Sequence, residues 1–422
     1  MQNIVVAGID ISKRFSDMCI LSPDNDIFAE VRIFHDLTSM SLAVEQLNAA
    51  QDVFGSPPVV VMESTSHYHL LLLRFLQSAG FQVVLVNPIQ SGALRNINIR
   101  KIKNDKVDAH KLALLYRMKV LRPSQVPEHD LRGLRTLCRQ HSELKCEITR
   151  YKNRLTSQLD QCFPGYDKAF SDVGGMASLE ILQHCPTPQL LLQASPEELD
   201  SWILSACPGK KKFAAKKLPL LRSIAQDAVK LAVSSPADAV VIRSFVDILK
   251  LLSSSVLRID AEIRALIAQN DYIHNAVTLL QTIPGVGPYL APAILGEIGN
   301  FQAFQKPKQL AAYFGLDPSE KRSGTFNSSK NAISKRGSSL ARASLNMVAC
   351  NSIFAKSGRS PLNPVLADYY CKKLETKPHK VALCAVMHKL VNIIFAVLRD
   401  QKPFELRSPE DHAKRLGVLP AA

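Results

Sequence analysis

Four carboxylates in the first part of the chain follow predicted strands or begin a predicted helix. They are Asp10, Glu63, Asp105 and Asp108. The i, i+3 spacing of the last two places both on one face of a helix that begins near Asn104. Acids that converge from such positions repel one another unless a cation lies among them, and Mg²⁺ or Mn²⁺ prefers oxygen ligands. Two such ions about 3.5 to 4 Å apart would suit an in-line phosphoryl transfer.

Each acid also has a structural interpretation. An Asp after a strand is commonly a turn former or helix cap, and Asp105 can cap the helix that carries Ala109 to Met118. Glu63 fits this interpretation less well, because the strand before it, Val59 to Met62, should be buried and a buried acid needs a partner. Together, in this strand order, the four acids favour a metal site.

A basic stretch near the C-terminal end supplies a second reactive group. Between Phe304 and Ala349 the basic residues outnumber the acids by eight to two, a bias that suits contact with phosphate. The basic residues are Lys306, Lys308, Lys321, Arg322, Lys330, Lys335, Arg336 and Arg342. Within this stretch the hydroxyl of Ser323 could attack phosphorus while a neighbouring Arg322, Lys335 or Arg336 stabilises the developing charge.

Chemistry alone does not single out that serine. The same stretch contains Ser328, Ser329, Ser334, Ser338 and Ser339, and most serines in such loops are solvated turn formers.

A glycine-containing turn precedes the basic stretch, within the segment from Leu279 to Gly299. The helical pattern breaks at residues 284–287 and resumes from Tyr289 to Ile298, which is the form of a helix-hairpin-helix. Gly285 and Gly287 would leave backbone N–H groups near a helix N-terminus, where they can bind a phosphate. An ordinary interhelical turn remains an equal alternative.

The elements that must position the acids follow from hydrophobic periodicity. The predicted order is strands Ile4 to Ile9, Asp17 to Leu21 and Ile27 to Phe34, helix Leu37 to Phe54, strand Val59 to Met62, helix His67 to Ala79 and strand Phe81 to Val86. Three consecutive strands indicate an antiparallel meander. The order β-β-β-α-β-α-β followed by a helix is that of a ribonuclease-H-like α/β fold with a mixed sheet.

The remainder is predicted to be all-α. Leu131 to Cys162 and Ala237 to Ile267 read as two long helices that could pair antiparallel in a coiled-coil-like manner, with a small helical insertion at about 164–235. We therefore expect three domains: a catalytic domain at 1–125, a helical region at 126–275 and a C-terminal domain at 276–422.

The bulk composition favours a polyanionic partner. The chain has 422 residues, 46% of them hydrophobic, with a net charge of +15 and a pI near 9.4, so nucleic acid is the expected partner. Nine scattered cysteines without Cys-x-x-Cys spacing predict reduced thiols in a cytoplasmic protein and argue against a zinc site. The N-terminal stretch reads as a strand rather than a signal peptide, and no membrane span is expected.

Several motifs resemble one family of enzymes. They are AGID at Ala7 to Asp10, VMESTSHYH at Val61 to His69, VNP at Val86 to Pro88, KNDKVDAHKLA at Lys103 to Ala113, IPGVGPYLA, FQKPKQLAAYFGLDP, RSG, ISKRG and KPHKVALCAVMHKLVNIIFAVL at Lys377 to Leu398. In this order they resemble the DEDD-type transposases of bridge-RNA-guided insertion sequences, relatives of the Piv DNA invertases. The resemblance covers roughly the first 120 and last 145 residues. Ser66, Arg322 and Ala341 depart from residues frequent in the family, without removing a catalytic group.

The resemblance implies a mechanism for this chain. Asp10, Glu63, Asp105 and Asp108 would form a RuvC-like Mg²⁺ site, and Ser323 would attack DNA to give a covalent 5′-phosphoserine link. A structured bridge RNA would pair with donor and target DNA, leaving the protein to contact backbone and shape. It further implies dimers that assemble into a tetramer, in which the acids of one subunit meet the serine of another.

Two other functions remain open. A RuvC-type nuclease or junction resolvase would need only the acids and water. A noncatalytic nucleic-acid-binding protein would use the acids structurally, and replacing them would leave DNA breakage unchanged because there would be none.

Overall fold

The chain divides into two compact units, Met1–Val126 and Pro127–Ala422. The computed structural model describes residues 4–63, 68–86, 105–119, 129–231, 234–318, 322–323, 326–327, 332–355 and 360–415. Of residues 105–107, 129, 322–323 and 326–327 it describes the backbone.

The first unit combines a sheet with three described helices. Its elements are β1 (Val6–Ile11), β2 (Phe15–Leu21), β3 (Ile27–Phe34), α1 (Leu37–Phe54), β4 (Val59–Glu63), α2 (His69–Ser78), β5 (Val83–Val86) and α3 (Asp105–Arg117). The sheet order is β3-β2-β1-β4-β5, with β1 antiparallel to β2 and parallel to β4. The predicted α/β order and the antiparallel meander are therefore confirmed. The first strand begins and ends two residues later than predicted.

The sheet buries both of its faces, each under different helices. One face packs Ile9, Ile20 and Met62 against apolar residues of α1 and α2 such as Leu47 and Leu72. The opposite face packs Val6, Cys19, Leu21, Val61, Val84 and Val86 against Ala109, Leu112 and Ala113 of α3. Because side chains alternate along a strand, even-numbered residues of β1 and odd-numbered residues of β2 and β4 face α3.

Two contacts hold α3 on that face. An added Cβ at Gly8 would lie 2.1 Å from the carbonyl oxygen of Ala109, so only glycine permits this approach. At the other end of α3, the buried Arg117 guanidinium donates to the carbonyl oxygens of Ile4 at 2.6 Å and Ser22 at 2.9 Å and to Asn25 Oδ1 at 2.6 Å. Both ends of the helix are thereby fixed relative to β1 and β2.

Where the structure describes it, the second unit is mostly helical and includes a two-strand ladder. Its elements are α4 (His129–Cys162), a 3₁₀ turn (Tyr166–Lys168), α5 (Met176–His184), α6 (Pro188–Gln193), α7 (Pro196–Ala206), α8 (Lys211–Leu231), α9 (Pro236–Gln269), α10 (Asp271–Gln281), α11 (Leu290–Ile298), a 3₁₀ turn (Phe301–Ala303), α12 (Pro307–Tyr313), β6 (Arg322–Ser323), β7 (Phe326–Asn327), α13 (Ser339–Ile353), α14 (Pro364–Leu374), α15 (His379–Asp400) and α16 (Pro409–Arg415).

The long helices α4 and α9 run antiparallel, as predicted. Asn270 Nδ2 donates to Asp130 Oδ2 at 2.8 Å near one end, and Gln158 Nε2 donates to Asp238 Oδ1 at 2.8 Å near the other. The helices α5 to α8, within the predicted insertion, form one hydrophobic core with one end of this pair, and α10 to α15 form another core with the other end. The proposed division of this unit into two domains remains a prediction.

One described helix, α15, is long and apolar enough to cross a membrane by length and composition alone. More than half of that window, 56%, is buried inside the protein. Its inward residues, including Val386, Leu390 and Ile394, belong to the core of α10 to α15. Burial within that core accounts for its apolar character.

Candidate functional site

Asp10 and Glu63 occupy adjacent positions on neighbouring parallel strands. Each directly follows the paired residues Ile9 and Met62 in the β1–β4 register. Both share the parity of the residues that pack against α3, so both side chains lie on that face. Asp10 lies within β1, which ends at Ile11, rather than at the strand end as predicted, whereas Glu63 is the last residue of β4.

The first turns of α3 lie over the same face. The helix begins at Asp105, and Asp108 directly precedes Ala109, whose carbonyl oxygen approaches Gly8. Asp108 is 7% exposed, and its Oδ1 lies 3.7 Å from Nζ of Lys111. The structure therefore brings Asp10, Glu63 and Asp108 to one face of one sheet, with the backbone of Asp105 one turn before Asp108. The Asp105 side chain lies outside the described residues.

Burial limits what these carboxylates can do. Glu63 is 4% exposed, and removing an ionised carboxylate from water is costly without compensation. The donor set is all oxygen, which suits Mg²⁺ or Mn²⁺ better than a softer metal. Among the side chains that the structure describes, no three His, Cys, Asp or Glu residues are placed to hold a metal ion. The predicted fourth acid, Asp105, is not among those side chains.

Asp17 is a further acid on this face, and the sequence interpretation missed it. Asp17, Asp10 and Glu63 lie at neighbouring positions on β2, β1 and β4, and we call these three residues the acid row. Asp17 is paired with Asp10 across β1 and β2, and Arg32 is paired with Asp17 across β2 and β3. Asp17 is 3% exposed and accepts from Arg32 Nε at 2.9 Å and Nη2 at 3.1 Å. The available signal was parity, because Asp17, Cys19 and Leu21 are odd-numbered residues of β2 and lie on the face that packs against α3.

Ser323 belongs to the second unit, whereas the acids belong to the first. It is the last residue of β6 and pairs with Phe326 of β7. Its side chain lies outside the described residues, as do Lys321 and Lys330. The positions of Ser323 and of the basic residues as functional groups remain predictions.

The residues that flank the Ser323 segment, Gly315 to Pro318 and Ile333 to Lys335, are hydrogen-bonded to each other. Pro318 forms a bridge with Ile333, and Asp317 accepts from the backbone N–H of Ser334 at 2.8 Å. Lys335 has a positive φ of 54°, and its N–H donates to the carbonyl oxygen of Gly315 at 3.0 Å. These contacts hold Gly315 to Pro318 beside Ile333 to Lys335.

The predicted phosphate-binding cations of this region differ in their surroundings. Lys335 and Arg336 are exposed. Arg342 is half-buried, and its Nη1 donates to the carbonyl oxygens of Phe314 at 3.1 Å and Gly337 at 2.7 Å. Arg342 therefore links the backbone at Phe314 to that at Gly337, on either side of the Ser323 segment. A phosphate contact by Arg342 remains a prediction.

The glycine-containing turn joins α10 to α11, and its two predicted glycines have different surroundings. Gly285 has a φ of 92°, and an added Cβ would lie 2.5 Å from Ser352 Oγ on α13. Gly287 has open space around the position of a Cβ. Gly285 is thus required for packing, whereas Gly287 faces a region that a ligand can approach.

Two family models match the chain, on either side of its middle portion. The DEDD transposase model of IS110 matches residues 7–164, which include the acid row. The model described as "Transposase IS116/IS110/IS902 family" matches residues 277–370, which include the turn, the basic stretch and Ser323. The chain therefore carries two transposase domains of the IS110/IS116 family.

Several relatives are similar to this transposase-family chain. A pilin gene-inverting protein of Moraxella bovis is 32% identical over 185 residues, which are 44% of this chain and 53% of the relative. The chain therefore matches about half the length of that relative. A 44.8 kDa protein of insertion element IS116 from Streptomyces clavuligerus is 23% identical over 95% of this chain and 96% of its own length. A 43.6 kDa protein of insertion element IS110 from Streptomyces coelicolor is 24% identical over 96% of each.

Proposed function

We propose that this protein breaks and rejoins DNA as a transposase or site-specific recombinase, with a metal-dependent acid site and a serine nucleophile. The observation that carries the proposal is the β1–β4 register, which makes Asp10 and Glu63 neighbours on the face covered by α3. The two transposase domains and the name of the pilin gene-inverting relative support a reaction on DNA.

The acid site would hold Mg²⁺, with Mn²⁺ as an alternative. Asp10, Glu63 and Asp108 would supply oxygen ligands from the sheet and from α3, and Asp105 would complete the set. A bound divalent ion supplies Lewis-acid stabilisation of phosphoryl oxygens. The chain's own contribution is to present the carboxylates from rigid elements, since strands and a packed helix hold ligands more accurately than loops do.

Ser323 would be the group that becomes bonded to DNA. Its Oγ forms an ester to the 5′ phosphorus as the bond from phosphorus to the 3′ oxygen breaks. The serine loses its proton and the released 3′ hydroxyl gains one, so the number of phosphoester bonds is unchanged. The reverse step can therefore reseal a different strand without ATP. Arg322, Lys335 and Arg336 would stabilise charge on the nonbridging oxygens.

Other parts of the chain would bind the nucleic acid. Lys321, Lys330, Arg342 and the backbone of the turn at Gly285 and Gly287 would contact phosphates. A structured bridge RNA would select donor and target DNA by base pairing. The active assembly would be a tetramer built from dimers, with the antiparallel α4 and α9 helices as the expected contact.

A second candidate function is a RuvC-type nuclease or resolvase. It is favoured by the acid row, which lies in one unit and would suffice for hydrolysis by water. The two functions differ in whether a protein–DNA bond forms.

Trapping that bond is the decisive experiment. We expect full-length protein with supercoiled donor DNA, its flanking RNA and Mg²⁺ to yield a protein–DNA adduct on a denaturing gel, and peptide mapping to assign the link to Ser323. Ser323→Ala should abolish the adduct and strand exchange while leaving metal binding intact.

The matched control is Ser329→Ala, which removes a hydroxyl from the same stretch. It should leave the adduct at wild-type level. Cleavage by the Ser323→Ala variant without any adduct would favour the nuclease, and robust recombination by that variant would assign the nucleophile elsewhere.

A further inference from the structure

The row of acids continues across the sheet into an ion pair. In the strand register Arg32 is opposite Asp17, and Asp17 is opposite Asp10. Glu63 occupies the position next to Asp10 on β4. All four residues lie on the face that packs against α3. The residues two positions before Asp10 and Glu63 and two positions after Asp17 contact that helix or its core, and the residue two positions before Arg32 is paired with Cys19 of that core.

The geometry of this pair is specific. Arg32 Nε donates to Asp17 Oδ1 at 2.9 Å, and Arg32 Nη2 donates to Asp17 Oδ2 at 3.1 Å. This bidentate (two-pronged) arrangement is typical of strong Arg–carboxylate pairs. The Arg32 Cζ also lies 4.0 Å from the centroid of the Phe15 ring. The Asp17 side chain is 3% exposed and that of Arg32 is 46% exposed. Asp17 is therefore a buried carboxylate whose charge is compensated from the solvent side.

The charge of Asp17 matters because another carboxylate, Asp10, lies opposite it on β1. Side chains directly opposite each other on antiparallel strands have Cβ atoms about 4.5 to 5.5 Å apart, and like charges there repel. Without Arg32, the row would carry three adjacent negative charges at Asp17, Asp10 and Glu63. With Arg32 paired to it, the Asp17 carboxylate adds less negative charge beside Asp10 and Glu63.

We propose that the Arg32–Asp17 pair is a positioning pair that sets the charge of the acid site and thereby its affinity for a divalent cation. Asp17 restrains the Arg32 cation, and Arg32 withholds the Asp17 carboxylate from the ion. This inference rests on the proposed function, since it assumes that Asp10 and Glu63 bind the cation.

The pair predicts changes of opposite sign, which a structural role would not give. Asp17→Asn removes the negative charge with which Arg32 is paired, so the local charge beside Asp10 becomes more positive and Mn²⁺ binding should weaken by about tenfold, the lower range for residues that support metal ligands. Arg32→Gln exposes Asp17 to the site, so Mn²⁺ binding should strengthen severalfold. The double variant removes both charges and should return to within about twofold of wild type.

The experiment measures Mn²⁺ affinity of the full-length protein by electron paramagnetic resonance of the free ion, without DNA. Asp10→Asn defines the signal that belongs to the acid site. Arg399→Gln is the matched control, because Arg399 also forms a two-pronged pair, with Asp400 at 2.7 and 3.0 Å, in the second unit. Arg32→Lys, which keeps the charge, should lie near wild type, and thermal melts establish that each variant is folded.

The outcomes separate this inference from the proposed function. Opposite shifts for the two single variants, with recovery in the double variant, support the positioning pair. Weakening by both, or change by neither, overturns it while the metal site stands. Mn²⁺ binding that Asp10→Asn leaves unchanged would remove the metal site itself, and this inference with it.

Discussion

At the scale of single residues, the missing side chain of Gly8 decides how closely α3 approaches the acid row. The Ala109 carbonyl oxygen lies where a Cβ would be, at 2.1 Å, and the Ala113 backbone nitrogen lies at 2.8 Å from the same point. Both contacts are with helix backbone, which cannot rotate away as a side chain can. Gly8 therefore fixes the separation between α3 and Asp10, two residues further along β1.

Replacing Gly8 tests that separation. Gly8→Ala should force α3 away from the sheet and lower the free energy of unfolding by about 1 to 3 kcal/mol, the usual cost of overpacking. Mn²⁺ affinity should fall as well, because Asp105 and Asp108 move with the helix. Chemical denaturation and Mn²⁺ titration of the full-length variant check both. A variant with wild-type stability would mean that the helix does not pack as described.

At the scale of elements, a buried histidine lies between the two long helices. His141 of α4 has a side chain 5% exposed, and its Nε2 lies 3.1 Å from Asp260 Oδ1 of α9. The ring packs against Tyr289 with centroids 4.1 Å apart, and Nδ1 has no hydrogen-bond partner among the described protein atoms. Burial lowers the pKa of His141 below its usual value, and Lys145 lowers it further, although Asp260 opposes the shift.

This lowered pKa makes stability depend on pH. The pKa of a histidine in the unfolded chain is about 6.5, and the pKa of His141 in the folded protein is lower. As the pH falls, the unfolded chain therefore binds a proton at this residue before the folded protein does. The contribution of neutral His141 is therefore present above about pH 6.5 and is lost as the pH falls towards the folded pKa. Denaturant unfolding between pH 8 and pH 5 should show this loss. His141→Gln should flatten the dependence, whereas His184→Gln, at an exposed site, should retain it.

The α10–α11 turn contains two glycines with different surroundings: Gly285 is packed against α13, whereas the Cβ position of Gly287 is open. Ser352 donates to the carbonyl oxygen of Pro284 at 2.6 Å, which holds the turn against α13 beside Gly285. Gly285 also adopts a φ that favours glycine. Gly287 has neither restriction, since its φ lies outside the left-handed region and its Cβ position is open.

The two Gly→Ala variants should therefore behave differently. Gly285→Ala should lower the free energy of unfolding by about 1 to 3 kcal/mol, through overpacking against α13. Gly287→Ala should unfold like wild type but bind DNA more weakly, because a methyl group obstructs a phosphate that approaches the turn. Unfolding curves and DNA binding at several salt concentrations distinguish them. Equal DNA affinity for Gly287→Ala and wild type would make the turn purely structural.

At the scale of the whole molecule, the two proposed reactive groups belong to different units. The acid row lies in Met1–Val126 and Ser323 in Pro127–Ala422. A reaction that uses both requires them to act on one phosphate, either within one chain or between subunits. The family resemblance favours assembly between subunits.

Mixing two inactive variants distinguishes these arrangements. Asp10→Asn retains the serine, and Ser323→Ala retains the acids, so each alone should be inactive. If the acids of one subunit act with the serine of another, co-assembled protein should recover part of the strand exchange, because some sites combine the two intact halves. Adduct formation and strand exchange are the measurements. A mixture as inactive as its components would place both groups in one chain.

Local patterns determined much of this protein. The order of strands and helices in the first unit and the two long helices α4 and α9 were readable from the sequence, because each depends on residues close together in the chain. Boundaries were less accurate, as at β1, since strand ends depend on which partner residues remain available for pairing. The acids Asp10, Glu63 and Asp108 could be named from their positions before any register was known.

Tertiary structure decided which of these residues are neighbours. Only the strand register places Asp17 opposite Asp10 and Arg32 opposite Asp17, and only the packing of α3 shows why residue 8 must lack a side chain. The same holds for Arg342, which the sequence presents as one more cation of a basic stretch and which in the fold donates to the backbone carbonyls of Phe314 and Gly337. Charge and periodicity are properties of the chain, whereas opposition across a sheet is a long-range contact that a local pattern does not specify.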